Sequence, residues 1–215
     1  MIDLNIETDG IILDVDGTLW DSTDVAAASW QQAIDELNMK ACCEITAEVL
    51  KGQFGKTMEA IGDALFPEEP PERRAFLMER CVDIENDNLR SDKEIALYDG
   101  VAETIKKLSE RVPMFVVSNC QAGYIEILIE KYNLQNYITD IECYGNNGLG
   151  KADNIELLAK RNGLKNPIYV GDTAGDKQAC DEAGLPMVFC EYGFGKAEGC
   201  IASISKFAEL NDIVS

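Results

Sequence analysis

Short apolar runs alternate with stretches of helical periodicity along most of this chain, and one long interval breaks that rhythm. Residues 11–15, 114–118, 168–171 and 187–190 are compact apolar runs bounded by turn residues, which predicts buried strands. A further short strand is expected within residues 138–143, and another near Ile201. Between them, residues 101–110, 124–132, 152–162 and 174–183 carry apolar positions at helical spacing, with a last helix near residues 206–210. Pro113, Pro167 and Pro186 stand at three helix-to-strand entries, and Gly145-Asn146-Asn147-Gly148 reads as a turn. Strands that are apolar throughout and separated by helices predict a parallel, doubly wound α/β sheet.

The interval from residue 20 to residue 95 is different. Residues 24–37, 45–50, 56–66 and 72–88 read as helices, Asn38 sits near a stop, and no strand-like alternation occurs. Phe66-Pro67-Glu68-Glu69-Pro70-Pro71 holds three of the six prolines and must join two helices. The expected organisation is an α/β core of residues 1–19 and 96–215, with a Rossmann-like sheet, interrupted by an all-helical insertion over 20–95.

Composition narrows the function classes. At 215 residues the chain can bury a sizeable core. Its formal net charge of −20 argues against a nucleic-acid or anionic-membrane partner, because both demand a basic face. No apolar run approaches the length of a membrane span. The start, Met1-Ile2-Asp3-Leu4-Asn5-Ile6-Glu7, is acidic and unlike a signal peptide. There is no histidine, and none of the eight cysteines forms a C-x-x-C pair, so the usual mixed zinc site is excluded. Reduced core thiols in a cytoplasmic protein are expected.

Chemistry gathers at the strand ends. Asp14 and Asp16 stand two apart where the first strand breaks at Gly17. Period-two alternation sends such a pair to one side of a strand, although Asp-Gly is also a common turn pair. Ser118 and Asn119 end the second strand, where a hydroxyl and backbone N–H groups suit a phosphoryl oxygen; the same pair also suits a turn or helix cap. Lys151 opens a helix, against the helix dipole, which points to an anionic partner if the lysine is not simply solvated. Asp172 and Asp176 follow the third apolar strand, and hard oxygens so clustered suit Mg²⁺; helix capping is the other use of such acids. A bound cation and a few placed lysines would reverse the negative field locally for an anionic substrate.

Taken together, Asp14-Val15-Asp16-Gly17-Thr18-Leu19 with Asp21-Ser22, then Ser118, Lys151, and Gly171-Asp172-Thr173-Ala174-Gly175-Asp176 resemble the four motifs of the haloacid dehalogenase superfamily. The branch they resemble most is phosphoglycolate-phosphatase-like, whose helical cap matches the insertion at 20–95. The resemblance implies Mg²⁺-dependent hydrolysis of a small phosphorylated metabolite through an aspartyl-phosphate. Asp14 would be the nucleophile and Asp16 the acid and base. Asp14, the Asp16 backbone carbonyl and Asp172 would hold the metal, with Asp176 a ligand or an acceptor for a metal-bound water. Ser118, the Asn119 backbone and Lys151 would hold the transferring oxygens.

In the insertion, Gly52-Gln53-Phe54-Gly55-Lys56-Thr57 is the candidate specificity loop, with Gln53 or Lys56 reading a second polar group. Lys56 starting a solvated helix is the competing reading. The acid at position 16 favours C–O–P substrates over the superfamily's other reactions. A sugar-phosphate mutase of the same branch usually carries a cap histidine, which this chain lacks. A non-catalytic binding or regulatory protein would not need so many mutually repelling acids, and a receiver-like phosphate acceptor fits the helical insertion and the Lys151 position less well, with Asp16 favouring hydrolysis of the intermediate.

Overall fold

The computed structural model describes residues 5–215. Strand β1 (Ile11–Leu13) is followed by four helices, α1 (Thr23–Leu37), α2 (Ala47–Lys51), α3 (Met58–Leu65) and α4 (Pro71–Ser91). Helix α5 (Val101–Ser109), β2 (Met114–Ser118), α6 (Tyr124–Lys131) and β3 (Asp140–Cys143) come next, then the one-turn helix α7 (Tyr144–Asn147). After it run α8 (Lys151–Arg161), β4 (Ile168–Gly171), α9 (Ala174–Ala183), β5 (Met187–Cys190) and β6 (Ala202–Ile204). A 3₁₀ turn (Phe207–Glu209) and α10 (Leu210–Ile213) close the chain.

The strands form one sheet in the order β3-β2-β1-β4-β5-β6. Every pairing is parallel, with Ile11 opposite both Met114 and Ile168. Because side chains alternate, the sheet builds two cores. Ile11, Leu13, Met114, Val116, Ile168 and Val170 pack with α5, α6 and α10 on one face. Ile12, Phe115, Val117, Tyr169 and Met187 pack with α8 and α9 on the other. That two-sided burial is why these strands read as continuous apolar runs. The winding direction reverses at β1, whose neighbours are β2 and β4, and such a switch point opens a crevice at the strands' carboxyl ends.

Helices α1–α4 bury a third, separate cluster that includes Trp30, Ile34, Leu50, Ile61, Phe66, Leu77 and Ile84. Local signals set their ends: left-handed Asn38 closes α1, Thr46 and Thr57 cap α2 and α3 through their hydroxyls, and Pro71 occupies the first turn of α4. The Trp20–Leu97 bridge and a 2.9 Å hydrogen bond from Tyr98 N–H to the Leu19 carbonyl hold the two connecting segments side by side.

Three local expectations are corrected. The first strand ends at Leu13 rather than residue 15, because the Val15 carbonyl accepts the N–H groups of Thr18, Leu19 and Trp20 in a tight turn. Residues 145–147 are not a free turn but belong to helical α7, which left-handed Gly148 terminates. Gly145 is required there: a Cβ would lie 2.1 Å from the Ala122 nitrogen. The last helix divides into the 3₁₀ turn and α10. Five of the cysteines are buried, whereas Cys42 and Cys43 are exposed in the loop between α1 and α2. No helix among the described residues is long and apolar enough to cross a membrane.

Candidate active site

The carboxyl edge at the switch point collects four of the charged residues singled out above. Asp14 directly follows β1, and its N–H is held by the Val170 carbonyl at 2.9 Å. Lys151, the first residue of α8, sends its ammonium 2.7 Å from Asp14 Oδ1 and 2.5 Å from Asp176 Oδ1. Asp14, Lys151, Asp172 and Asp176 are all at least 95% buried. A lysine so placed against the helix dipole is held by the two carboxylates it pairs with.

Carboxylate oxygens of Asp14, Asp172 and Asp176 lie within 4.8 Å of one another. Burial and the adjacent Asp14 and Asp176 push the Asp172 carboxyl up to about 8. Burial likewise raises Asp14, to about 6, against the opposing pull of Lys151. Lys151 instead holds Asp176 below its ordinary range, overcoming burial, and the two carboxylates hold Lys151 above its own. Three buried acids against one lysine is a surplus of hard negative oxygens, and the donor set fits a small divalent cation such as Mg²⁺.

The backbone closes tightly on Asp172. A Cβ on Gly17 would stand 2.1 Å from Asp172 Oδ2, and one on Gly193 would stand 2.3 Å from its Cβ. Phe194 N–H donates to Asp172 Oδ2 at 2.7 Å. Asp176 Oδ2 is engaged differently, in a capping box for α9: it accepts from Thr173 N–H and Thr173 Oγ1, while Thr173 Oγ1 accepts from Asp176 N–H. With Oδ1 on Lys151 and Oδ2 in the cap, both oxygens of Asp176 already have work in the fold.

Asp16 turns away from this cluster. Its Oδ1 accepts from Tyr124 OH at 2.6 Å, Trp20 Nε1 at 3.0 Å and Ser22 Oγ at 3.1 Å. Burial pushes its carboxyl up to about 7 despite the Tyr124 hydrogen bond. The two aspartates therefore face different surroundings, which strict alternation did not foresee: the strand has already ended at Leu13, before both of them.

Ser118, at the end of β2, is 4% exposed on the same edge. Asn119 Nδ2 donates to the Gly55 carbonyl at 2.8 Å, tying the core to the loop after α2. Phe54 packs on Phe194 with ring centroids 6.5 Å apart, and Lys51 lies over the Phe194 ring. The Gly52–Thr57 loop thus stands over the carboxyl edge; Lys56, exposed, donates to Gln53 Oε1 at 2.9 Å.

A cavity of about 20 Å³ lies between that loop and the edge, lined in part by Asp16, Trp30, Glu85, Ser118, Gln121 and Tyr124. Trp30, Glu85, Gln121 and Tyr124 escaped the sequence reading, as did Gly193 and Phe194. Only the Thr-x-x-Asp spacing of the capping box left a readable signal.

The haloacid dehalogenase-like hydrolase family model matches residues 11–190. The chain is 27% identical over 219 residues to a phosphoglycolate phosphatase of Photobacterium profundum, covering 95% of this chain and 94% of that one. It is 25% identical over 230 residues to the phosphoglycolate phosphatase of Escherichia coli K12, covering 95% and 90%. Among solved structures, a predicted phosphoglycolate phosphatase from Haemophilus somnus superposes with a TM-score of 0.80 at 19% identity, over 95% of this chain and 97% of the other. CbbY from Rhodobacter sphaeroides, a mutant in complex with xylulose-(1,5)bisphosphate, gives 0.81 at 17% identity, over 97% and 100%. These structures share the fold.

Proposed function

The chain belongs to the haloacid dehalogenase-like hydrolase family, and on that premise we propose that it is a Mg²⁺-dependent phosphatase acting on a small phosphate monoester through an aspartyl-phosphate on Asp14. The observation that carries this reading is the division of labour between two aspartates two residues apart. Asp14 is paired with Lys151 beside an acidic cluster, and Asp16 is held apart by Tyr124, Trp20 and Ser22.

Asp14 attacks phosphorus, forming an aspartyl-phosphate as the ester P–O bond breaks, and Asp16 gives its proton to the departing alkoxide. Asp16 then takes a proton from the water that attacks the acyl phosphate; the bond to Asp14 breaks and inorganic phosphate leaves. An acid held near 7 by burial can make both transfers close to neutral pH. Lys151 and Ser118 are positioned to hold the phosphoryl oxygens as charge spreads over them. Asp14, the Asp16 carbonyl and Asp172 would hold the Mg²⁺, and the engagements of Asp176 favour an outer role, orienting Lys151 and a metal-bound water. The metal supplies charge neutralisation between the anionic substrate and the acidic cluster.

In this reading residues 20–95 form a cap over a core of 1–19 and 96–215. The small cavity is the closed state, and ester entry requires the cap to lift. Release of phosphate from p-nitrophenyl phosphate and small esters should require Mg²⁺, stop with chelator, and fall by at least ~10³-fold in Asp14→Asn. A folded, Mg²⁺-binding wild type that releases no phosphate from any ester would sink the proposal.

A further inference from the structure

The cavity beside Asp16 has an unusual wall for an enzyme whose substrate is an anion. Glu85, on α4, is only 2% exposed and lines it. Its Oε2 accepts from Trp30 Nε1 at 2.7 Å, and it enters no ion pair among the described residues. Facing the same space is Gln121, 8% exposed, whose buried Nε2 makes no hydrogen bond of good geometry, its side chain standing near enough to Glu85 to oppose the rise of that carboxyl. The one cationic side chain on the lining, Lys56, is exposed and already engaged with Gln53. The walls therefore offer an acceptor and a donor in a space of about 20 Å³, room for one small polar group.

Resting on the phosphatase reading, we propose that Glu85 and Gln121 form the leaving-group subsite, that they select an ester whose departing alcohol carries a further hydroxyl, and that Glu85 rejects a carboxylate in that place. A hydroxyl can donate to Glu85 and accept from Gln121 Nε2, satisfying both buried groups at once. An ammonium would meet Glu85 but leave the Gln121 donor unpaired. A carboxylate, as in phosphoglycolate, would be pressed against Glu85 with Asp16 adjacent, adding an uncompensated charge where water is excluded. Burial raises Glu85 to about 7, so a bound carboxylate could be tolerated only by holding Glu85 protonated. The substrate class thus departs from the one in the names of the phosphatases this chain is similar to.

The test uses three esters of matched size: ethyl phosphate, 2-hydroxyethyl phosphate and 2-phosphoglycolate. With Mg²⁺ and wild-type protein, kcat/KM should favour 2-hydroxyethyl phosphate over phosphoglycolate by ~10²-fold or more, an amount expected when a buried polar pair is matched rather than opposed. In Glu85→Gln that ratio should shrink at least ~10-fold, chiefly through KM, as phosphoglycolate gains. Calorimetric binding of the same esters to Asp14→Asn should give the same order without turnover. A wild-type preference for phosphoglycolate, or a Glu85→Gln change that scales all three esters alike, would overturn the subsite. Absence of turnover on every ester, with the binding order intact, would instead remove the phosphatase reading and leave the selectivity of the pocket standing.

Discussion

Two groups of buried carboxylates lie at and against the carboxyl edge, and the structure treats them in opposite ways. Asp14 and Asp176 flank a buried lysine, and Asp172 completes a cluster whose charge is partly balanced. Asp16 and Glu85 have no cation; they take hydrogen bonds from Tyr124, Trp20, Ser22 and Trp30, and burial raises both to about 7. The first arrangement keeps charge in the interior by pairing it, ready for a metal and a phosphoryl group. The second raises both acids until they titrate near neutral pH, so that each can exchange a proton where an ordinary carboxyl would stay ionised. The same residue type becomes a charge holder or a proton holder according to whether its neighbour is an ammonium or an aromatic hydroxyl or N–H.

Removing the pairing should break the comparison most visibly. Lys151→Ala leaves Asp14 and Asp176 facing each other without their cation, a loss of about 3–5 kcal/mol for breaking a buried pair. Without Mg²⁺, its melting temperature should fall by roughly 10 °C; an unchanged melt would mean that the lysine balances nothing. Phosphate release should drop at least ~10²-fold.

The second group should respond to pH instead. Glu85 has a folded value raised above its ordinary 4.5 to about 7. Its proton-linked contribution to stability is therefore intact below about pH 4.5 and is lost as the pH rises through about 7. Glu85→Gln cannot ionise, so its melting temperature relative to wild type should climb between pH 5 and 8.5, by an amount worth up to about 3 kcal/mol. Asp16 is raised in part by the Glu85 charge, so in the variant it is raised less, which adds to the same climb. A difference that stays flat with pH would show that burial does not raise Glu85.

The smallest effect sharpens the contrast within the second group. Tyr124→Phe deletes one hydrogen bond to Asp16 and leaves the aromatic packing against Trp20 in place. Turnover should fall about tenfold, with a stability change near 1 kcal/mol, measured by steady-state kinetics and thermal melting. Equal activity would remove Tyr124 from the positioning of Asp16.

Much of the fold was legible because its strands are buried on both faces. β2, β4 and β5 appear where the apolar runs placed them, each entered just after a proline. The edge residues Asp14, Ser118, Lys151 and Asp172 could be singled out because each interrupts an apolar run or opposes a helix dipole. Glu85 could not: on α4 it is one acid among many in a polar helix, and nothing local says that it faces inward. Tyr124 reads as an ordinary helix residue, and its contact with Asp16 joins positions 108 apart. Gly193 matters only through a close approach to Asp172 that spacing along the chain does not encode.

The pairing of the two connecting segments bears on how the chain finds its fold. β1 must meet β2 across the whole helical interval, Ile11 opposite Met114, a long loop to close before any sheet contact rewards it. Helices α1–α4 bury their own apolar cluster, and once they do, the Trp20–Leu97 bridge and the Leu19–Tyr98 hydrogen bond bring the loop's two ends together. What remains to be closed is the short turn from β1 to Trp20 and the segment from Leu97 to β2, much of which is helix α5. The interruption of the sheet carries its own short-circuit, and the entropy of a hundred-residue excursion collapses to that of a short one.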